Sequence, residues 1–337
     1  MMNTNEVAFL TNLLQTPKQI SIIPHRNPDG DALGSSLALY HVLKKLNHTV
    51  KVISPNDFPD FIAWLPSANE VEIFERTPLP CETFLKESDV IFTLDFNALH
   101  RTGDVMGSFL STLSNDFVLI DHHQMPDQYA KITVSDTSFG STCELLYRFL
   151  QQLQLDQFID KDSATCIYTG IVTDSGSFKF LKTTGDTHRV VANLIDLGVD
   201  NPYVHSKLFN TNSYNRLQLL GRALQKLKVL PQHQTAYTSL SQRDLYDFNY
   251  QKGDTEGIVN YGLSIKGINF AAIFIENRDE GIVKISFRSE GNFDVNEFAR
   301  TYFNGGGHIN AAGGKSFTSL NDTIAYFEKV LNDINKQ

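Results

Sequence analysis

Acidic and imidazole side chains recur in this sequence at the ends of apolar runs. Residues 23–36 read IPHRNPDGDALGSS, so His25, Asp29 and Asp31 crowd a loop around Pro28 and Gly30, directly after the apolar run 20–23. Asp95 closes VIFTLD, Asp121, His122 and His123 close FVLIDHH, and Asp174 ends GIVTD. Carboxylates such as Asp29, Asp31, Asp95 and Asp174, brought within a few ångströms, would repel and raise one another's pKa. Two divalent cations would cancel that charge. Oxygen-rich sites with some imidazole suit manganese or magnesium better than structural zinc, which prefers thiolate and histidine cages. These are the parts a two-metal phosphoesterase centre needs: a carboxylate to bridge, a water of lowered pKa and an in-line path to phosphorus.

The elements that must position these residues read as βαβ units. Strands are expected at 20–24, 49–54, 89–96, 117–123 and 131–136, alternating with helical patterns, which is the signature of a parallel sheet. Between the first two, DALGSSLALYHVLKKLN repeats Leu33, Leu37, Tyr40 and Lys44 at helical spacing and reads as a crossover helix. DSATCIYTGIVTD reads as another helix, with Asp174 at its C-terminus. In an open parallel sheet, ligands bind at the carboxyl ends of the strands, and the acids fall there repeatedly. In the opening loop, Asn27 before Pro28 is biased to an extended backbone, and Gly30 is expected to permit the bend that parts Asp29 from Asp31. Gly34, Ser35 and Ser36 then open the helix, whose first amides are expected to help hold an anion.

At 337 residues the chain exceeds what one core usually serves. The expected fold class is α/β: an N-terminal domain (1–190) with a parallel sheet and helices on both faces, a helical linker (191–228), and a smaller mixed-sheet α/β domain (229–337). In the last part, INFAAIFIENRDEGIVKISFRSE reads as two strands joined at NRDEG, followed by the helix VNEFARTYF, the turn NGGGHINAAGG and a final amphipathic helix.

A net charge of −9 argues against long duplex nucleic acid as a partner, since gripping it takes many phosphate contacts. No leader-like segment and no long apolar stretch occurs, so no membrane is expected and a cytoplasmic location is. The three cysteines, far apart and without CxxC spacing, read as core residues in a reducing compartment. Bland readings compete singly: DGD is ordinary turn chemistry. An EF-hand loop from Asp29 would need a closing glutamate where Tyr40 stands, and GGKS at 313–316 lacks the P-loop glycine at Ile309. It is the joint pattern that resists them.

HRNPDGDALGSS, LDF at Asp95, DHH at 121–123, GIVTDSGSF and GGGHINAAGG occur in that order. With these motifs the chain resembles the DHH phosphoesterase family over nearly its whole length. Its branch with a DHH domain and a DHH-associated C-terminal domain includes bifunctional oligoribonuclease/PAP (3′-phosphoadenosine 5′-phosphate) phosphatases, also called nanoRNases. The resemblance implies that His25, Asp29 and Asp95 hold one cation and Asp31, Asp95, His122 and Asp174 the other, with Asp95 bridging. It implies manganese first, with magnesium as the alternative. Asp121 would orient its neighbours, and His123 would contact the scissile phosphate as a donor or proton source. Arg288 and the turn Gly305, Gly306, Gly307, His308 would bind the substrate's other phosphate or nucleotide, with bare glycine amides as an anion nest and Arg288 as a bidentate fork. Arg101 matches a basic position after the bridging aspartate. Phe96 departs from the small hydroxyl residue that relatives often carry there.

The implied activity is manganese-dependent hydrolysis of very short RNAs to mononucleotides and removal of the 3′-phosphate of PAP. The implied partners are short single-stranded RNAs or small phosphonucleotides, and a homodimer is left open. A phosphodiesterase for cyclic di-AMP or its linear product pApA is the rival, with pyrophosphatase and exopolyphosphatase further off. A nucleotide-sensing module with incidental metals is the non-enzymatic alternative.

Overall fold

The computed structural model describes residues 2–334, and the chain divides into two compact units after Thr211. In the first unit, strands β1 (Gln19–Pro24), β2 (Thr49–Ser54), β3 (Glu72–Ile73), β4 (Val90–Leu94), β5 (Asp116–Asp121) and β6 (Ile132–Ser135) form one sheet in the order β3-β2-β1-β4-β5-β6. Every pairing is parallel.

The strands are continuous apolar runs because both faces of the sheet are covered. Along β4, Val90, Phe92 and Leu94 enter the larger core with the helices Thr4–Leu14, Gly30–Lys45, Thr142–Gln152 and Lys161–Asp174. Ile91 enters the opposite core, with Cys81 and Leu85 of the helix Pro78–Glu87 and Met106 and Leu110 of Asp104–Leu110. Phe96 is fully buried in that second core, so the departure in LDFN serves packing.

Strand order reverses between β1 and β4, and there the connections diverge and open a crevice at the carboxyl ends. The last paired residues are Pro24 and Leu94, each followed at once by a candidate ligand, His25 and Asp95. Of the segment expected as a linker, the helix Asn201–Phe209 packs in the first unit through Val204, and the end of Gly185–Asp196 does so through Val191 and Leu194.

The second unit carries β7 (Lys228–Leu230), β8 (Thr235–Leu240), β9 (Phe270–Asn277), β10 (Ile282–Ser289), β11 (Gly306–His308) and β12 (Ala311–Ser316), in the order β11-β12-β10-β9-β8-β7. Only β8 and β9 pair in parallel, so this sheet is mixed. One face packs the strand rings Phe270, Phe274 and Phe287 against Phe298 and Phe327 of the helices Val295–Tyr302 and Leu320–Ile334 and against Phe303 at the first helix's end. The other takes Leu219 and Ala223 of the helix Tyr214–Gln225. The expected hairpin at NRDEG forms as β9 and β10, whereas NGGGHINAAGG, expected as a turn, is largely the hairpin β11–β12. Among the described residues no helix is long and apolar enough to cross a membrane.

Candidate metal centre

On leaving β1 the chain bends at Asn27, whose φ of 54° is left-handed instead of extended. A reciprocal amide pair overrides the bias of the residue before proline: the Asn27 N–H donates to Asn56 Oδ1 (2.7 Å), and Asn56 Nδ2 donates to Asn27 Oδ1 (2.8 Å). Gly30 is therefore not the bend. It opens the helix Gly30–Lys45, and a Cβ there would lie 2.5 Å from Thr173 Oγ1. Residues 34–36 consequently lie inside the helix, with the Ser35 and Ser36 hydroxyls donating to the Ala32 carbonyl (3.2 and 2.8 Å). The first amides are capped by Asp29, whose Oδ1 accepts from the N–H groups of Asp31 (3.0 Å) and Ala32 (3.1 Å). The expected anion contact at 34–36 falls away. Asp29 keeps Oδ2 for the crevice, 3.9 Å from His25 Nε2.

Asp95 follows β4 at φ 67°, a costly conformation for a residue with a Cβ, of the kind that clusters at functional sites. Its N–H still donates to the Ile120 carbonyl (3.0 Å), extending the ladder. Its oxygens face different imidazoles: Oδ2 lies 3.5 Å from His25 Nε2, and Oδ1 lies 3.5 Å from His122 Nε2. His122 Nε2 is also 3.3 Å from Asp174 Oδ2 and 3.9 Å from Asp31 Oδ2.

Asp31 is fully buried and accepts the N–H of Thr142 (2.6 Å) and of Cys143 (2.8 Å) in the first turn of the helix Thr142–Gln152, where the dipole favours an anion. Asp174 is the last residue of its helix, as expected. That helix reaches Asp31 only because glycine stands at the contact. A Cβ on Gly170 would meet Cys143 Sγ at 2.2 Å and Asp31 Oδ1 at 2.7 Å, and one on Gly34 would meet the Cys166 carbonyl at 2.6 Å.

Both imidazoles turn Nδ1 to a carbonyl, His25 to Arg26 (2.9 Å) and His122 to Phe139 (3.3 Å). A ring that donates from Nδ1 presents Nε2 as a lone pair, which is how carbonyl-oriented histidines meet metals. Burial and the neighbouring His123 push His122 down to about 4, so it is neutral at pH 7. The acids move the other way. Burial and then the Asp29 charge raise Asp31 to about 6, against the opposing amides. Burial and the Asp31 charge put Asp95 and Asp174 well above the usual carboxylate range. His123 Nδ1 donates to Asp121 Oδ1 (2.6 Å); burial lowers the ring's pKa, but that bond and the Asp95 and Asp121 charges outweigh it and raise the pKa overall. Asp121 Oδ2 is buried without a hydrogen-bond partner among the described residues.

Raised acids, an orphaned carboxylate oxygen and a neutral His122 aimed at carboxylates all call for positive charge. His25, Asp29 and Asp95 bring ligand atoms within 4.8 Å of one another, as do Asp31, His122 and Asp174, and as do Asp95, Asp121 and His123. No thiolate takes part, and this oxygen-and-imidazole set fits manganese or magnesium. The crevice thus brings together His25, Asp29, Asp31, Asp95, Asp121, His122, His123 and Asp174.

Arg101 lies outside that cluster, exposed on the helical turn Leu99–Thr102, though its charge is felt at His123. Arg288 and residues 305–308 belong to the second unit. Arg288 sits on β10 between Ala271 and Ala311. The Gly305 N–H donates to the Ala299 carbonyl (3.1 Å) and the Gly307 N–H to Asn296 Oδ1 (2.9 Å), so the expected nest of bare glycine amides is not formed. These glycines answer to hairpin sterics: a Cβ would come within 1.9 Å of the Gly313 carbonyl at 305 and 2.4 Å of the Ala311 carbonyl at 307. Sequence reasoning missed Asn56 and Thr142. For Thr142 a signal existed, the Ser141-x-x-Glu144 pattern of a helix N-terminus, and Ser141 Oγ indeed accepts the Glu144 N–H (3.1 Å). Asn56 lies in SPND, which reads as any turn.

Residues 19–171 match the DHH family N-terminal domain, and residues 233–335 match the DHHA1 domain. The chain is 30% identical to the bifunctional oligoribonuclease and PAP phosphatase NrnA of Thermus thermophilus over 94% of this chain and 90% of that one. The chain belongs to the DHH family. It is a phosphate-ester hydrolase by that membership. A solved structure of an exopolyphosphatase-related protein from Bacteroides fragilis superposes with a TM-score of 0.95 at 36% identity, covering 98% of this chain and 96% of the other. The cyclic-di-AMP phosphodiesterase PdeA of Listeria monocytogenes is 26% identical over 96% of this chain, which spans 48% of that protein.

Proposed function

We propose that this DHH protein uses two divalent cations, manganese by preference, to hydrolyse very short single-stranded RNAs to mononucleotides and to remove the 3′-phosphate of PAP. One observation carries the reading: the two oxygens of Asp95 face two different imidazoles, each at 3.5 Å. His25, Asp29 and Asp95 would hold one cation, and Asp31, Asp95, His122 and Asp174 the other. When bound, the cations supply Lewis-acid charge and lower the pKa of the attacking water.

The chain's own residues then divide the remaining work. Asp121, hydrogen-bonded to His123 Nδ1 at 2.6 Å, fixes the ring and raises its basicity, so that His123 gives a proton to the departing oxygen from Nε2. Burial of Asp31 and Asp95 excludes water from the cluster and strengthens its electrostatics. In the second unit, Arg288, Gly306 and His308 serve a second phosphate or base, and Arg101 assists. The substrate class rests on likeness to NrnA from Thermus thermophilus.

PdeA and the exopolyphosphatase-related protein favour cyclic di-AMP and polyphosphate as rival substrates. Initial rates on RNA 2-mers to 5-mers, PAP, pApA, cyclic di-AMP and polyphosphate, each with manganese and with magnesium, separate them. RNA 2-mers to 5-mers and PAP should be turned over fastest. Strong cleavage of cyclic di-AMP with none of PAP would reverse that order, and ligand binding without product would reject catalysis.

A further inference from the structure

We propose that Thr142 is a positioning residue whose hydroxyl sets the bridging carboxylate Asp95 between its two cations, an inference that rests on the two-cation reading above. Thr142 is fully buried and is the first residue of the helix Thr142–Gln152. Its Oγ1 donates to Asp95 Oδ1 at 2.8 Å, and its N–H donates to Asp31 Oδ2 at 2.6 Å. One residue thereby holds two carboxylates that arrive from opposite sides of the crevice, one after β1 and one after β4.

The choice of partner is informative. In the helix Lys161–Asp174, the hydroxyls of Thr165, Thr169 and Thr173 donate back to carbonyls four residues earlier, at 2.7, 2.8 and 3.1 Å. That is the ordinary fate of a helical threonine. Thr142, at a helix start, has no such carbonyl in its own helix, and its single proton reaches a carboxylate 47 positions away in sequence. Oδ1 is the oxygen that faces His122, 3.5 Å from Nε2. A hydroxyl proton on one lone pair of Oδ1 fixes the carboxylate's rotation and leaves its other lone pair toward His122. Oδ2 then faces His25. Without the hydroxyl, Asp95 is free to turn, and a carboxylate that turns cannot serve two ions at once. Partners of this kind around metal ligands are worth roughly 10–100-fold in metal affinity.

The test is equilibrium binding of Mn(II) to wild type, Thr142→Ala, Thr142→Val and Thr142→Ser, with thermal unfolding as a control. Thr142→Val repeats the deletion without the cavity that Thr142→Ala opens, so one of the two stays informative if the other fails to fold. We expect two ions per wild-type chain and a loss of roughly 10–100-fold in affinity for at least one of them in Thr142→Ala or Thr142→Val. Thr142→Ser should bind like wild type, and excess manganese should recover much of kcat in the hydroxyl-less variants. Two ions on wild type with unchanged binding in the folded hydroxyl-less variants overturns the role of Thr142 alone. So does Thr142→Ser binding as weakly as Thr142→Ala, because a merely structural role would then account for both. No binding to wild type overturns the two-cation reading itself.

Discussion

At the scale of single residues, the centre is a set of acids held where they are uncomfortable. Asp31, Asp95 and Asp174 all have folded-state pKa values raised by burial first and next by a neighbouring carboxylate, Asp29 for Asp31 and Asp31 for the other two. The sign of the linkage follows. The unfolded chain releases these protons near 3.8 and the folded one later, so stability falls as pH rises above 3.8, until the folded pKa is passed, about 6 for Asp31. Metal-stripped protein should therefore unfold at a higher temperature at pH 5 than at pH 7, and saturating manganese should erase that difference. For the same reason Asp95→Asn should stabilise the stripped protein, on the order of 1–3 kcal/mol, while hydrolysis is lost. Chemical denaturation with a chelator present checks it; a destabilised Asp95→Asn would mean the charges are compensated within the chain. The acids and imidazoles that meet at this crevice were legible because Asp and His at strand ends have few other reasons to recur. The backbone beneath them was not. Asn27 bends because Asn56, 29 positions on, supplies a partner, and nothing local announces that.

At the scale of elements, the site depends on how closely two helices meet. Gly34 and Gly170 let Gly30–Lys45 lie against Lys161–Asp174, and this brings Asp31 and Asp174 to the same imidazole. Gly170→Ala places a methyl 2.2 Å from Cys143 Sγ and 2.7 Å from Asp31 Oδ1. It should cost about 1–3 kcal/mol by overpacking and lower kcat by more than tenfold. Paired thermal melts and rates would check this, and a fully active, equally stable variant would show that the contact yields. The apolar runs foretold β1 and β2 to within a residue, since strands covered on both faces leave unbroken hydrophobic sequence. The hairpin β11–β12 was hidden because its glycines read as anion-binding turn chemistry, when what demands them is the close approach of opposing backbone.

At the scale of the whole molecule, the two units have separate cores, and their stabilities should respond to different conditions. In the second unit, buried Asp244 accepts from Arg222 Nε (2.8 Å) and pairs with Lys226, tying the helix Tyr214–Gln225 to Gln242–Asp247. Burial alone would raise its pKa; the Lys226, Ser241 and Arg222 hydrogen bonds outweigh it and hold the carboxyl far below the usual range. Its stabilisation is thus fully present above the unfolded value of 3.8 and is lost only gradually as pH falls from there toward the much lower folded value. Asp244→Asn should lower that unit's unfolding midpoint by roughly 4 °C or more at pH 7 and by a smaller amount at pH 3, where part of the stabilisation is already lost. Calorimetry at both values decides, and equal losses would remove the charge from the explanation. The first unit should respond to manganese instead, because the proposed ligands all lie in it.

If Asp95 serves two cations at once, equilibrium dialysis of wild type and Asp95→Ala against Mn(II) at neutral pH will show it. Wild type should hold two ions per chain, and Asp95→Ala at most one, weakly. Two ions retained by Asp95→Ala with wild-type affinity would contradict it.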